Sequence, residues 1–99
     1  MSGVQAPMVV RRGEAFTIEI PSAPTTGYRW EVTALPELFT LQHSSFRAPD
    51  DAQPGDGGVQ VFEFIAVLAG SDAIGLACRR PWEVDAVEQK SVPVVVLSP

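Results

Sequence analysis

Cys78, His43, Arg79 and Arg80 are the side chains of this sequence best suited to nucleophilic catalysis. Cys78 directly precedes Arg79 and Arg80, and neighbouring guanidinium groups can lower a thiol pKa and so raise the thiolate fraction. His43, the single histidine, would have to meet Cys78 across the fold to serve as its base. The patterning opposes that pairing. Cys78 lies in the apolar run AIGLACRR, where a free cysteine behaves as a small buried hydrophobe, and His43 reads as an exposed residue of a weak strand.

Metal and nucleotide chemistry fare no better. The stretch DDAQPGDGG offers Asp50, Asp51 and Asp56, with Gly55 where a calcium loop has its sixth-position glycine. Ala52, Pro54 and Val61 then occupy the third, fifth and twelfth positions, where oxygen ligands are required. GDGGVQ is not a dinucleotide fingerprint, because Gln60 stands in place of the last glycine. The expectation is a protein that is not an enzyme and that uses neither metal nor cofactor.

Binding chemistry is better represented, in three stretches. In APTTGYRW, Pro24 fixes its own φ and keeps Ala23 out of the helical region. Thr25 and Thr26 are stiff at χ1, and Gly27 permits a positive φ on the way to Tyr28. The result is a pre-ordered, uncharged tip carrying hydroxyls, which lowers the entropic cost of binding. In RRPWE, Arg80, Pro81 and Trp82 bring together residue types that dominate binding hot spots. In RAPDDAQPGDGG, a long acidic stretch ends in Gly55, Asp56, Gly57 and Gly58, where the missing side chains allow a close backbone approach.

The elements that hold these stretches are short and mostly of period two. Phe16, Ile18 and Ile20 share one face of EAFTIEIP, and Tyr28, Trp30 and Val32 share one face of YRWEVTA. FTLQHSSF is a weaker strand with Phe39 and Leu41 on one face. VQVFEFIAVL carries Val59 and Val61 out of phase with Phe62, Phe64 and Ala66, which implies a bulge or burial on both faces. APMVVRRG, AIGLACRR and SVPVVVLS complete the set, and Pro93 marks the last as an edge or bulged strand.

Seven short strands at this spacing predict an all-β fold, an immunoglobulin-like antiparallel β-sandwich, formed by one domain over residues 1–99. If successive strands alternate in direction, the second-to-third, fourth-to-fifth and sixth-to-seventh connections fall at one end. Those connections are the three unusual stretches, here the PTTG, GDGG and RPW loops. The other end has the ordinary turns RRG, LPEL and LAGSDA. Elaborate loops clustered on a rigid scaffold read as a binding surface.

Composition narrows the partners. The net charge is −5, with no Lys/Arg cluster suited to nucleic acid or an anionic membrane. Apolar residues make up 45% of the chain, which opposes disorder. There is no apolar run of about 18 residues that could span a membrane, and a lone cysteine cannot form an internal disulfide. MSGVQAPMVV lacks the regions of a signal peptide. The expectation is a cytoplasmic protein, or a periplasmic or secreted one whose leader has been removed.

PTTGY, GDGG and RRPWE, in that order and on those loops, resemble the motifs of the chagasin family of cysteine-peptidase inhibitors. That family carries N-P-T-T-G-[YF], G-x-G-G and R-P-W loops on an immunoglobulin-like sandwich, and the resemblance spans nearly the whole chain. It implies a reversible, tight-binding inhibitor of papain-like cysteine peptidases, acting as a monomer, with the three loops wedged into the active-site cleft. Pro24 to Tyr28 would form the central contact, with Thr25 and Thr26 beside the catalytic cysteine. Gly55, Asp56, Gly57 and Gly58 would pair along the cleft, and Arg80, Pro81 and Trp82 would pack on its primed side. Ala23 departs from the family, which usually has asparagine there to hydrogen-bond the loop backbone. Two other readings stand beside the inhibitor. One is an immunoglobulin-like adhesion module using the same loops for a non-peptidase partner, and the other is a structural domain in which the motifs serve only the fold.

Overall fold

Alternating apolar residues produce two facing sheets. The computed structural model describes residues 7–22, 27–48 and 57–98, which contain β1 (Met8–Arg11), β2 (Ala15–Ser22), β3 (Arg29–Ala34), β4 (Phe39–Arg47), β5 (Gly58–Ala66), β6 (Gly70–Arg79) and β7 (Glu88–Leu97). One sheet has the order β1-β7-β6-β3 and the other the order β2-β5-β4. Among the described residues no helix is long and apolar enough to cross a membrane.

The faces follow the sequence pattern closely. Phe16, Ile18, Ile20, Trp30, Phe62, Phe64, Ile74, Leu76, Val92, Val94 and Val96 are buried in one core cluster. Phe16 stacks on Phe64 at 5.4 Å between centroids and meets Phe39 edge-on at 5.7 Å. Such aromatic contacts contribute about 0.5–1.5 kcal/mol each beyond simple burial.

Four details differ from the sequence reading. β1 runs parallel to β7 (Val9 opposite Val95), while the other pairings are antiparallel. Leu41 is not a core residue but 40% exposed. Its strand β4 is an edge, with a register shift between Leu41 and His43. β5 pairs with β2 in continuous register from Gly58 to Ile65. Its phase change therefore reflects a central strand whose second face is half-covered by neighbours, and the irregularity lies on β4. Pro93 sits in β7 between β1 and β6 rather than on an edge strand. It is tolerated because the described pairing with β1 begins only at Val94, so the Pro93 stretch has an unpaired side that needs no N–H.

The pairing directions put the stems of the three loops at one end. Ser22 at the end of β2 lies opposite Gly58 at the start of β5. Arg47 at the end of β4 lies opposite Val59, and Arg29 at the start of β3 lies opposite Arg79 at the end of β6. The stems of the PTTG, GDGG and RPW loops are thus adjacent.

Candidate functional site: a binding edge of three loops

The RPW loop is a tight turn with an exposed aromatic. The Glu83 N–H donates to the Arg80 carbonyl at 3.0 Å, which closes a four-residue turn with Pro81 and Trp82 at its centre. Proline suits the second position of such a turn because its φ is already set. Arg79 braces the turn from below: its Nη1 donates to the Glu83 carbonyl at 2.6 Å and its Nε to Glu31 Oε2 at 2.7 Å. Val87 N–H donates to the Cys78 carbonyl at 2.9 Å, closing the far side of the loop. Trp82 stands 71% exposed. It does not fold back to cap the core, unlike Trp30, which is buried.

Arg80 lies between aromatic rings. Its guanidinium carbon is 4.3 Å from the Tyr28 ring centroid and 5.7 Å from that of Trp82. Each such contact contributes about 0.5–1 kcal/mol near a surface. Arg80 Nε is buried with no hydrogen-bond partner among the described residues, so the rings hold this guanidinium. Gly27 adopts φ +86°, and a Cβ there would lie 3.4 Å from the Trp82 ring. The left-handed conformation anticipated for Gly27 is therefore present, and Gly27 itself lies against the RPW loop.

Gly58 uses its missing side chain within the fold. A Cβ there would lie 2.5 Å from the Arg47 carbonyl oxygen and 2.6 Å from Phe46 Cζ. The backbone that approaches Gly58 is therefore the chain's own β4. Phe46 is 44% exposed beside this glycine, and it adds an apolar side chain at the edge that the motifs did not point to.

Gln60 is the other residue the sequence reading passed over. Its Oε1 accepts from Trp30 N–H at 2.8 Å and from Ser22 Oγ at 3.1 Å, and its Nε2 donates to the Trp30 carbonyl at 3.0 Å. A usable signal was present. Gln60 shares the phase of Phe62, Phe64 and Ala66, which are buried, and a polar residue on an inward phase must find hydrogen bonds.

The described residues bring Gly27, Tyr28, Arg80, Pro81 and Trp82 together, with Gly57 and Gly58 at the adjoining stem. Pro24, Thr25, Thr26, Gly55 and Asp56, like Ala23 and Pro54, lie outside the described residues.

The residues considered for catalysis are dispersed. Cys78 is buried and faces the core, while His43 is exposed on β4. The neighbouring arginines do not lower the thiol pKa. Burial pushes it up, and Glu88, opposite Cys78 on β7, pushes the same way. Arg79 alternates to the outer face, where it is committed to Glu31 and the Glu83 carbonyl. Cys78 is therefore expected to react with iodoacetamide at least about tenfold more slowly in the native protein than after unfolding in guanidinium. Equal rates, followed by mass spectrometry, would show the thiol to be accessible. No group of three or more potential metal-ligating side chains occurs among the described residues.

Sandwich and edge together define a class: a small two-sheet β-protein in which the stems of three loops adjoin and one loop carries an exposed tryptophan. The model of the chagasin family of peptidase inhibitors (I42) matches residues 9–96, and the chain belongs to that family. It is 34% identical over 83 residues to chagasin of Trypanosoma cruzi, covering 78% of this chain and 74% of that protein. Among solved structures it resembles a cysteine protease inhibitor from Entamoeba histolytica, with a TM-score of 0.72 and 20% identity over 91% of this chain and 87% of the other. It also resembles amebosin, with a TM-score of 0.68 and 24% identity over 94% and 88% of the two chains. These two structural likenesses concern the fold. Family membership makes the chain a peptidase inhibitor rather than an enzyme.

Proposed function

We propose that the protein is a reversible, tight-binding inhibitor of papain-like cysteine peptidases whose three-loop edge fills the active-site cleft. The carrying observation is Trp82. An indole held 71% exposed by a braced turn, directly against Gly27 of the PTTG loop, gains its burial only from a partner. The similarity to Trypanosoma chagasin and the class of the family supply the partner chemistry.

The physical logic concerns what the loops withhold. A papain-like cleft holds a thiolate nucleophile, and an inhibitor must fill it without presenting a scissile carbonyl in attack geometry. Thr25 and Thr26, stiff at χ1 and followed by a glycine already in its turn conformation, suit a plug beside that thiolate. Arg80 and Trp82 take one flank of the cleft, and Gly55 to Gly58 the other. A protease–inhibitor interface of ordinary size buries ~1,600 Å² in total, within reach of three loops at one end of a sandwich.

The test is a bulky charge at the tip. Thr25→Arg is expected to abolish papain inhibition while the melting temperature stays near that of the wild type, since surface substitutions usually change stability by no more than about 0.5 kcal/mol. Full inhibition by the variant would exclude the PTTG loop from the cleft. An adhesion or purely structural role predicts no inhibition by either protein.

A further inference from the structure

We propose that Gln60 is the positioning residue of the PTTG loop: one side-chain amide ties together the two stems from which the loop springs. This rests on the inhibitor reading and goes beyond it, because Gln60 belongs to none of the three motifs.

β3 is an edge of its sheet, so Trp30 has a side not paired to a strand. Gln60 reaches across from the opposite sheet and fills that side as a short strand would, accepting from Trp30 N–H at 2.8 Å and donating to the Trp30 carbonyl at 3.0 Å. The same Oε1 accepts from Ser22 Oγ at 3.1 Å. Ser22 ends β2 and Arg29 begins β3, so the amide holds the last residue of one stem and the second residue of the other.

Those stems belong to different sheets, and among the described residues no backbone ladder joins them. Without the amide their relative position would rest more heavily on side-chain packing, which tolerates small displacements. A shift of one stem would move the tip between them. Gln60 also stands two residues past Gly58, so the GDGG loop continues into the strand that carries the clamp. The two stems are then fixed to one another from below.

The experiment compares papain inhibition constants for the wild type, Gln60→Met and Gln60→Glu, each alone and combined with Thr25→Ala or Trp82→Ala. Methionine keeps length and volume but makes none of the three bonds. Glutamate keeps an acceptor for Trp30 N–H and Ser22, loses the donor and sets a carboxylate oxygen against the Trp30 carbonyl. Gln60→Met is expected to weaken inhibition about tenfold, mainly through faster dissociation, with Gln60→Glu recovering part of the loss. Because the clamp acts through the PTTG tip, Gln60→Met and Thr25→Ala should be strongly non-additive, and more so than Gln60→Met and Trp82→Ala.

Unchanged inhibition by both single variants would overturn the inference, as would a loss that couples no more to Thr25 than to Trp82, the mark of a general loss of packing. If Gln60→Met does not fold, the same cycles are run with Gln60→Glu and read by the same criteria. Wild-type protein that does not inhibit papain at all points instead to failure of the inhibitor reading.

Discussion

Replacing Trp82 with alanine is expected to weaken papain inhibition by about 30- to 700-fold with a loss of fold stability of no more than about 1 kcal/mol. The magnitude comes from the ~2–4 kcal/mol typical of a tryptophan hot spot, at 1.4 kcal/mol per factor of ten. The separation of binding from stability comes from exposure. Trp82 is 71% exposed in the free protein, so its removal costs the fold little beyond its contacts with Arg80 and Gly27. Trp82→Phe should retain part of the affinity, because a ring remains to be buried. Inhibition constants and thermal melts measured on the same preparations test both halves. A large drop in melting temperature would mean that Trp82 serves the fold, and unchanged inhibition would remove the RPW loop from the interface.

Gly58→Ala should do the opposite and damage the fold first. A methyl group at Gly58 would lie 2.5 Å from the Arg47 carbonyl oxygen, and a strand backbone cannot rotate away as the nearby Phe46 ring can. Overpacking of this kind costs about 1–3 kcal/mol, occasionally more. In a domain of this size each kcal/mol shifts the melting temperature by about 4–8 °C, so a fall of roughly 4–24 °C is expected. β4 and β5 would separate at the end that carries the GDGG loop, and inhibition should weaken as a consequence. A melting temperature equal to that of the wild type would show that the strands shift freely there, and that the glycine serves contact with a partner.

These two residues show what was legible in the sequence and what was not. Trp82 could be placed at a loop tip because RRPWE pairs proline with a residue that has no role in the strand period. The packing role of Gly58 could not be read, because its close neighbours, Arg47 and Phe46, lie on another strand. The strands themselves were readable wherever one face is buried: alternation in EAFTIEIP and YRWEVTA maps directly onto Phe16, Ile18, Ile20 and Trp30 in the core. Alternation misled at Leu41, since an edge strand past a register shift has apolar positions with nothing to cover them.

Local chemistry misled at two other places. Gly70, Ser71 and Asp72 have turn propensities but pair with Val96, Val95 and Val94 and belong to β6, where the neighbouring strand outweighs local preference. Glu88 to Lys90 read as loop but pair with Cys78, Ala77 and Leu76. The RPW loop is accordingly shorter than the interval between AIGLACRR and SVPVVVLS. Cys78 beside two arginines resembles an activated thiol only along the chain. Strand geometry sends Arg79 to the opposite face and leaves Cys78 in the core beside Glu88. The inward phase of Gln60 was readable, but its hydrogen-bond partners were not, because they lie 30 and 38 residues away.

The most direct test of the central claim is a titration of active papain with the purified protein, following hydrolysis of a fluorogenic peptide, with trypsin as the control. The account predicts a stoichiometric, reversible loss of papain activity and no effect on trypsin. Full papain activity at micromolar protein, or equal inhibition of both enzymes, would contradict it.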